Sequence, residues 1–279
     1  GIICLGIQLK PFEFLYFGKI AIPLIIICII SVLIAIKLLI KKLQIPTRMA
    51  YLISIGSTVC GTTAIMATAP VIKADKNEVS YAIANITLFG ILSMLLYPYF
   101  ANLYFDGNSL FAGLFLGTAI HETSQVAAAG LIYDQQFDSP ETLNVATVTK
   151  LIRNTFLIVM IPLFAFLYNR GSVKEKNYSI INIFPFFVLG FIAMIILRNL
   201  GDEVFSTYKN DIWIEIIDYI KFFSKVFLTM AMGAIGLSTN LKDIKIMGYK
   251  PFVVGFIAML TVGLVSVFTM QSFTKLFLS

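Results

Sequence analysis

Histidine and tryptophan each occur once in this 279-residue chain, cysteine occurs three times, and only 13% of residues are charged. Each shortage excludes something. A zinc protease needs His-Glu-x-x-His on a helix, and the fourth position after His121 is Gln125, with no second histidine anywhere. Cys4, Cys28 and Cys60 lie in or beside apolar stretches, odd in number and without metal-ligand spacing, so no disulfide framework, metal or cofactor is expected. No GxxxxGK[ST] motif is present, which excludes an ATP-driven pump acting alone. No catalytic dyad is visible, and an enzyme is not expected. The first residue is not Met and no charged n-region with a cleavage site follows, so the start reads as mid-protein, with earlier helices expected to be missing.

What the chain does contain is apolar side chain, at 58% of residues and a mean hydropathy of +0.89. A soluble domain of this length cannot hide so much, and lipid must cover it. Charge-free runs occupy Ile20–Ile36, Val79–Phe105, Asn154–Asn169, Ile180–Leu197, Val226–Leu241 and Pro251–Thr274, and about 20 apolar residues cross a bilayer. The fold class is therefore an all-α polytopic membrane protein, expected in the cell (inner) membrane. The net charge of +6 sits in short loops rather than in one stripe, which fits the positive-inside rule and argues against nucleic acid as a partner.

Two stretches resemble each other. Gly56–Ala67 reads GSTVCGTTAIMA and Gly117–Ala128 reads GTAIHETSQVAA, and without gaps the glycines, Thr62 with Thr123, and the final alanines coincide. The similarity resumes where YPYFANLY (Tyr97–Tyr104) matches IPLFAFLY (Ile161–Tyr168). A duplicated glycine- and hydroxyl-rich segment between apolar spans marks carriers whose broken helices meet at a central site. The expected organisation is one transporter domain over 1–279. Its core, 47–168, has repeats 47–105 and 109–169, and its scaffold helices are 15–40, 179–197, 216–237 and 249–275. Segments 47–72 and 109–133 either cross as interrupted helices or re-enter as hairpins meeting near the midplane. Lys73 and Lys76 fall on the cytoplasmic side only if both re-enter, and Asp75 and Glu78 weaken that argument. A pair of matched spacings, Gly6 and Gly18 with Gly236 and Gly248, leans towards inverted hairpins as well.

Each motif places hydroxyl residues after a break: Gly61-Thr62-Thr63, and Glu122-Thr123-Ser124. Helix N-termini carry about half a positive charge and attract anions, whereas glycine and threonine at helix contacts also serve plain close packing. The candidate anion-binding residues are Ser57, Thr58, Gly61, Thr62, Thr63, Thr118, Thr123, Ser124 and Gln125, with Arg153 as countercharge. His121 and Glu122 are candidates for proton coupling, because an ionisable group at membrane depth is costly and usually functional. A hydrogen-bonded pair that merely fixes the break is the competing reading. Asn85 and Lys150 are secondary candidates, Lys150 with a tendency to snorkel to the interface. Trp213, with Tyr208 and Tyr219, reads as an interfacial aromatic belt.

At these motifs the chain resembles the YeiH-like family of bacterial membrane proteins, to which sulfate export is ascribed. The stretches that carry the likeness are GIICLGIQL, GSTVCGTTAIMATAPVIKAD, LGTAIHETSQVAAAG, TVTKLIRNTFLIVMIPL and MGAIGLSTNLKDIKIMGYKPF, from Gly1 to Phe252. The resemblance implies membership of the cation/proton antiporter and anion transporter superfamily, in which a mobile core carries interrupted helices past a scaffold. That grouping favours crossing helices. The function expected is secondary transport of a small anion such as sulfate or sulfite across the lipid bilayer, proton-coupled, with homo-oligomers as a further expectation. The alternatives are a sodium- or proton-coupled organic-acid carrier and a non-transporting subunit of a larger complex.

Overall fold

The computed structural model describes residues 2–8, 11–139, 141–169, 186–205, 210–238 and 248–277, and every regular element among them is helical. In chain order these are α1 (Ile2–Leu5), a 3-10 turn (Gly6–Gln8), α2 (Pro11–Leu43), α3 (Thr47–Thr58), α4 (Thr62–Thr68), α5 (Lys76–Tyr104) and α6 (Ser109–Ala119). They continue as α7 (Thr123–Phe137), α8 (Thr142–Thr155), α9 (Leu157–Asn169), α10 (Phe186–Phe205), α11 (Asn210–Ser238) and α12 (Lys250–Phe277). Among the described residues, Tyr16–Ile40, Lys76–Tyr104 and Lys250–Met270 are long and apolar enough to cross a membrane. Large apolar side chains stand exposed along α2 (Ile22, Ile26, Ile30, Ile34) and α5 (Leu92, Leu95, Leu103), a surface that only lipid or protein can cover.

The expected spans shift in detail. The 15–40 span is α2, and the later part of the 109–169 repeat divides at Phe156 into α8 and α9. Of the 179–197 span, 179–185 lies outside the described residues, as do the basic loop residues Arg170, Lys174, Lys176, Lys242 and Lys245.

The chain forms two compact units, Gly1–Lys19 with Phe184–Ser238, and Ile20–Ile183 with Thr239–Ser279. In the first, Ile7, Trp213 and Ile217 make a small core against Met194, Phe205 and Ile220. Trp213 is thus buried rather than in an aromatic belt. Its ring stacks on Phe205 and its indole N–H donates to Asp202 Oδ1 at 2.8 Å, a partner that lets the ring leave the interface. Tyr219 is exposed, and Tyr208 lies outside the described residues.

The second unit settles how the glycine-rich segments run. Gly56 of α3 lies against Ile65 of α4. In one continuous helix those residues would be about 14 Å apart, so the chain turns back at Val59–Gly61. The starts of α3 and α5 share a face, because Arg48 pairs with Asp75 at 3.7 Å, and Gly56 also meets Ile86 of α5. The second segment behaves alike from the opposite face. The Thr142 hydroxyl that opens α8 donates to Ser109 O at the start of α6, and the Leu143 N–H donates to the Asp134 carboxylate near the end of α7. Both segments therefore fold back on themselves as helical hairpins instead of continuing as one straight helix.

Their lengths fit that reading. The α3 arm has 12 residues and the α6 arm 11, about 18 and 16 Å of helix, so tips entering from opposite faces meet inside a hydrocarbon core of about 30 Å. The charge pattern agrees with this folding back. Lys42, Arg48, Lys73, Lys76 and Lys250 then belong to one face, with Tyr81 of α5 donating to Gly248 O at the start of α12. Asp106, Asp134 and Glu141 belong to the other. The α8–α9 segment runs from the second face to the first, where Arg48 donates to the Tyr168 hydroxyl at 3.1 Å.

Candidate functional site at the hairpin tips

The two breaks fall at equivalent places in the aligned motifs. Between α3 and α4 the chain leaves the helix at Val59-Cys60-Gly61, and between α6 and α7 at Ile120-His121-Glu122. Each break creates one helix C-terminus and one N-terminus inside the unit. The last carbonyls of a helix have no intrahelical donor and together carry about half a negative charge. Both C-termini are met by α8. Lys150 Nζ donates to Val59 O at 2.8 Å, to Ile120 O at 2.9 Å and to His121 O. Arg153 Nε donates to Thr58 O at 2.9 Å, while its terminal nitrogens donate to Ser57 O and Thr118 O.

Two expectations change here. Lys150 does not snorkel, since it is fully buried and its three donors are all engaged. Arg153 is 1% exposed and binds the hairpins' own carbonyls, so in this state it is a clamp between the tips before it is a countercharge for anything else. The close approach of α8 depends on Gly117, where a Cβ would strike Ala146 O and the Thr149 side chain.

The N-termini differ from one another. Glu122, at the tip of the second hairpin, accepts from the Thr62 backbone N–H and hydroxyl at the start of α4. Gly61 makes room for that carboxylate: its φ is +62° and any Cβ would run into Glu122. The first turn of α7 has no cap from its own Glu122 side chain. Thr123 Oγ1 accepts from Asn154 Nδ2 at 3.1 Å, and Gln125 Nε2 donates to Thr87 O of α5 at 3.2 Å. Thr63 and Ser124, equivalent in the aligned motifs, are the half-buried members of the set.

The structure brings Ser57, Thr58, Gly61, Thr62, Thr118, His121, Glu122, Thr123, Lys150 and Arg153 into one knot. The Thr58 and Thr118 hydroxyls are turned into their own helices, bonding Ser54 O and Leu114 O at 2.8 Å each. Asn85 stands apart from the knot's bonds and ties α5 to α12, donating to Pro251 O at 2.7 Å. Three buried side chains at the tips keep a polar atom without a partner among the described residues: Ser57 Oγ, both nitrogens of His121 and Asn154 Oδ1, whereas the unpaired Gln125 Oε1 lies against Gly90 of α5. Such groups are rare in a finished interior and call for an occupant.

The family described as "Conserved hypothetical protein 698" matches residues 1–255. A UPF0324 membrane protein of Fusobacterium nucleatum subsp. nucleatum is 37% identical over 274 residues, covering 96% of this chain and 79% of the relative. One of Streptococcus agalactiae serotype V is 36% identical, covering 98% and 78%, and one of Clostridium tetani is 32% identical, covering 95% and 77%. No solved structure matches. The chain belongs to the UPF0324 (YeiH) family of membrane proteins.

The names of these UPF0324 relatives state a membrane protein and no activity. What this UPF0324 chain offers chemically is two cations and one carboxylate, all buried where two hairpins from opposite faces meet. One participant had no signal in the sequence: Ser266 of α12 shares a 2.6 Å hydrogen bond with the Thr118 hydroxyl across 148 positions, while Asn154, next to Arg153 in the sequence, reaches Thr123.

Proposed function

We propose that the protein is a secondary-active transporter, working as an exporter, of a small inorganic anion such as sulfate or sulfite, with Glu122 and His121 coupling transport to protons in the cell membrane. The observation that carries this is the charge at the tips. Lys150 and Arg153 contribute two formal positive charges and Glu122 one negative, while the two C-terminal and two N-terminal helix ends offset each other. One positive charge is left over at membrane depth, where an uncompensated charge is expensive, and a bound anion would compensate it. The first turn of α7, with Thr123, Ser124 and Gln125, presents backbone N–H groups to such an anion. Hairpins entering from opposite faces would give the site access to each side in turn.

Proteoliposomes test this directly. Labelled sulfate and sulfite uptake is measured against a panel of unlabelled anions, with and without a pH gradient. Saturable uptake competed by sulfur oxyanions is the expected result, and Glu122→Gln should remove the effect of the gradient. No saturable uptake by folded protein would end the anion-transport reading and leave a non-transporting subunit. A second reading, a sodium-coupled organic-acid carrier, is favoured by the open oxygen of Asn154, which suits a cation. It predicts sodium-dependent uptake of carboxylates in the same vesicles.

A further inference from the structure

The open hydrogen-bonding groups at the tips are of mixed character, and that narrows what can sit there. Asn154 Nδ2 already donates to Thr123 Oγ1, so its open Oδ1 can only accept. Gln125 takes no part, because its Nε2 donates to Thr87 O and its Oε1 lies against Gly90 of α5. A neutral His121 offers one N–H and one lone pair, both open, and the Ser57 hydroxyl serves in either sense. Ser57, His121 and Asn154 are each at most 4% exposed.

A fully deprotonated dianion such as sulfate has acceptors alone. It would leave the Asn154 oxygen unpaired and turn a like partial charge towards it, which in a buried site costs the full desolvation of that group. It would also bring two negative charges to a site with one surplus positive charge. We infer that the species held at the hairpin tips is a singly charged oxyanion that keeps a proton, of the hydrogen sulfite type, rather than a fully deprotonated dianion. Its O–H donates to the open Asn154 oxygen or to the His121 lone pair, and its remaining oxygens accept from the His121 N–H and the Ser57 hydroxyl. Its single charge matches the surplus left by Lys150, Arg153 and Glu122. This inference rests on the anion-transport reading and goes further by naming the protonation state of the substrate.

The charged and titratable groups facing the tips are Glu122 on the second hairpin, Cys60 on the first, Lys150 and Arg153 from α8, and Cys28 from α2. A pH dependence must therefore be assigned to the substrate and not to one of them. Sulfite and sulfate together make that separation, because sulfite loses its last proton near neutrality whereas sulfate stays a dianion. Initial rates for each labelled anion are measured in proteoliposomes of the full chain, at equal pH on both sides, as the pH is raised through neutrality.

Sulfite uptake at limiting concentration should fall about tenfold per pH unit once hydrogen sulfite is the minor form. Sulfate should bind at least about tenfold more weakly than hydrogen sulfite, the equivalent of one lost hydrogen bond. His121→Ala should weaken sulfite binding about tenfold, and His121→Asn, which keeps a donor and an acceptor, should recover part of the loss. Sulfate uptake equal to that of sulfite overturns the inference and leaves anion transport standing. A pH dependence shared by both anions assigns the titration to the protein and also overturns it. Absence of saturable uptake of either anion by folded wild-type protein overturns the transport reading beneath it.

Discussion

Gly61 is the residue at which backbone strain and site chemistry coincide. Its φ of +62° disfavours any side chain, and the space its Cβ would take is filled by the Glu122 carboxylate. Gly61→Ala should therefore destabilise the protein by about 1–3 kcal/mol from backbone conformation alone, with more from the displaced carboxylate. Thermal unfolding in detergent reads this, and Gly61→Ala combined with Glu122→Ala should recover the second part only. Arg153 makes the complementary case. Removing it leaves the Ser57, Thr58 and Thr118 carbonyls without a donor inside the protein. Arg153→Ala is expected to cost about 3–5 kcal/mol, the usual loss when one side of a buried charged contact is cut. Arg153→Lys should lose less but still melt early, because a single ammonium cannot span carbonyls from two hairpins as a planar guanidinium does. Wild-type melting of Arg153→Ala would mean that water satisfies those carbonyls.

Among the elements, the hairpins make a prediction about sidedness. Folding back of α3–α4 puts Lys73 on the face of Lys42 and Arg48, and folding back of α6–α7 puts Asp106 and Asp138 together on the other. With Cys4 replaced by serine and the buried Cys28 and Cys60 retained, single cysteines at Lys73 and Asp106 should be labelled from opposite sides by an impermeant maleimide in oriented vesicles. Lys73 should share its side with Lys42, whereas crossing helices would separate them. The bond between Thr118 of α6 and Ser266 of α12 links a hairpin to a long apolar helix. A double-mutant cycle with Thr118→Val and Ser266→Ala should give a coupling of about 0.6 kcal/mol, with about 1.7 as the upper end for membrane hydrogen bonds. A coupling near zero would mean that α12 carries no part in holding the hairpin tip.

At the scale of the whole molecule the tips concentrate opposing helix ends, two cations and a carboxylate at mid-depth, and a ligand that neutralises the surplus should stabilise the fold. Hydrogen sulfite at about a hundredfold excess over its dissociation constant should add about 2.7 kcal/mol, visible as a higher melting temperature than in chloride of equal ionic strength. An equal shift with both salts would show that the tips do not select the anion.

Composition and charge-free run length were enough to establish a polytopic all-helical membrane protein, because burying so much apolar surface in water is impossible at this chain length. The motifs also announced where the helices break, since Gly61 and the hydroxyl residues after it are local signals, as are Thr123 and Ser124. The membrane crossing or return of those segments was not legible, because it depends on contacts such as Arg48 with Asp75 and Thr142 with Ser109 that join distant parts of the chain. The site divided along the same line. Local sequence picks out His121, Glu122 and Arg153 as unusual at membrane depth. Only the tertiary structure turned Arg153 and Lys150 into clamps on helix C-termini and set Glu122 on Thr62, because a buried donor takes whichever acceptor the fold brings within reach, and a sequence does not record that distance.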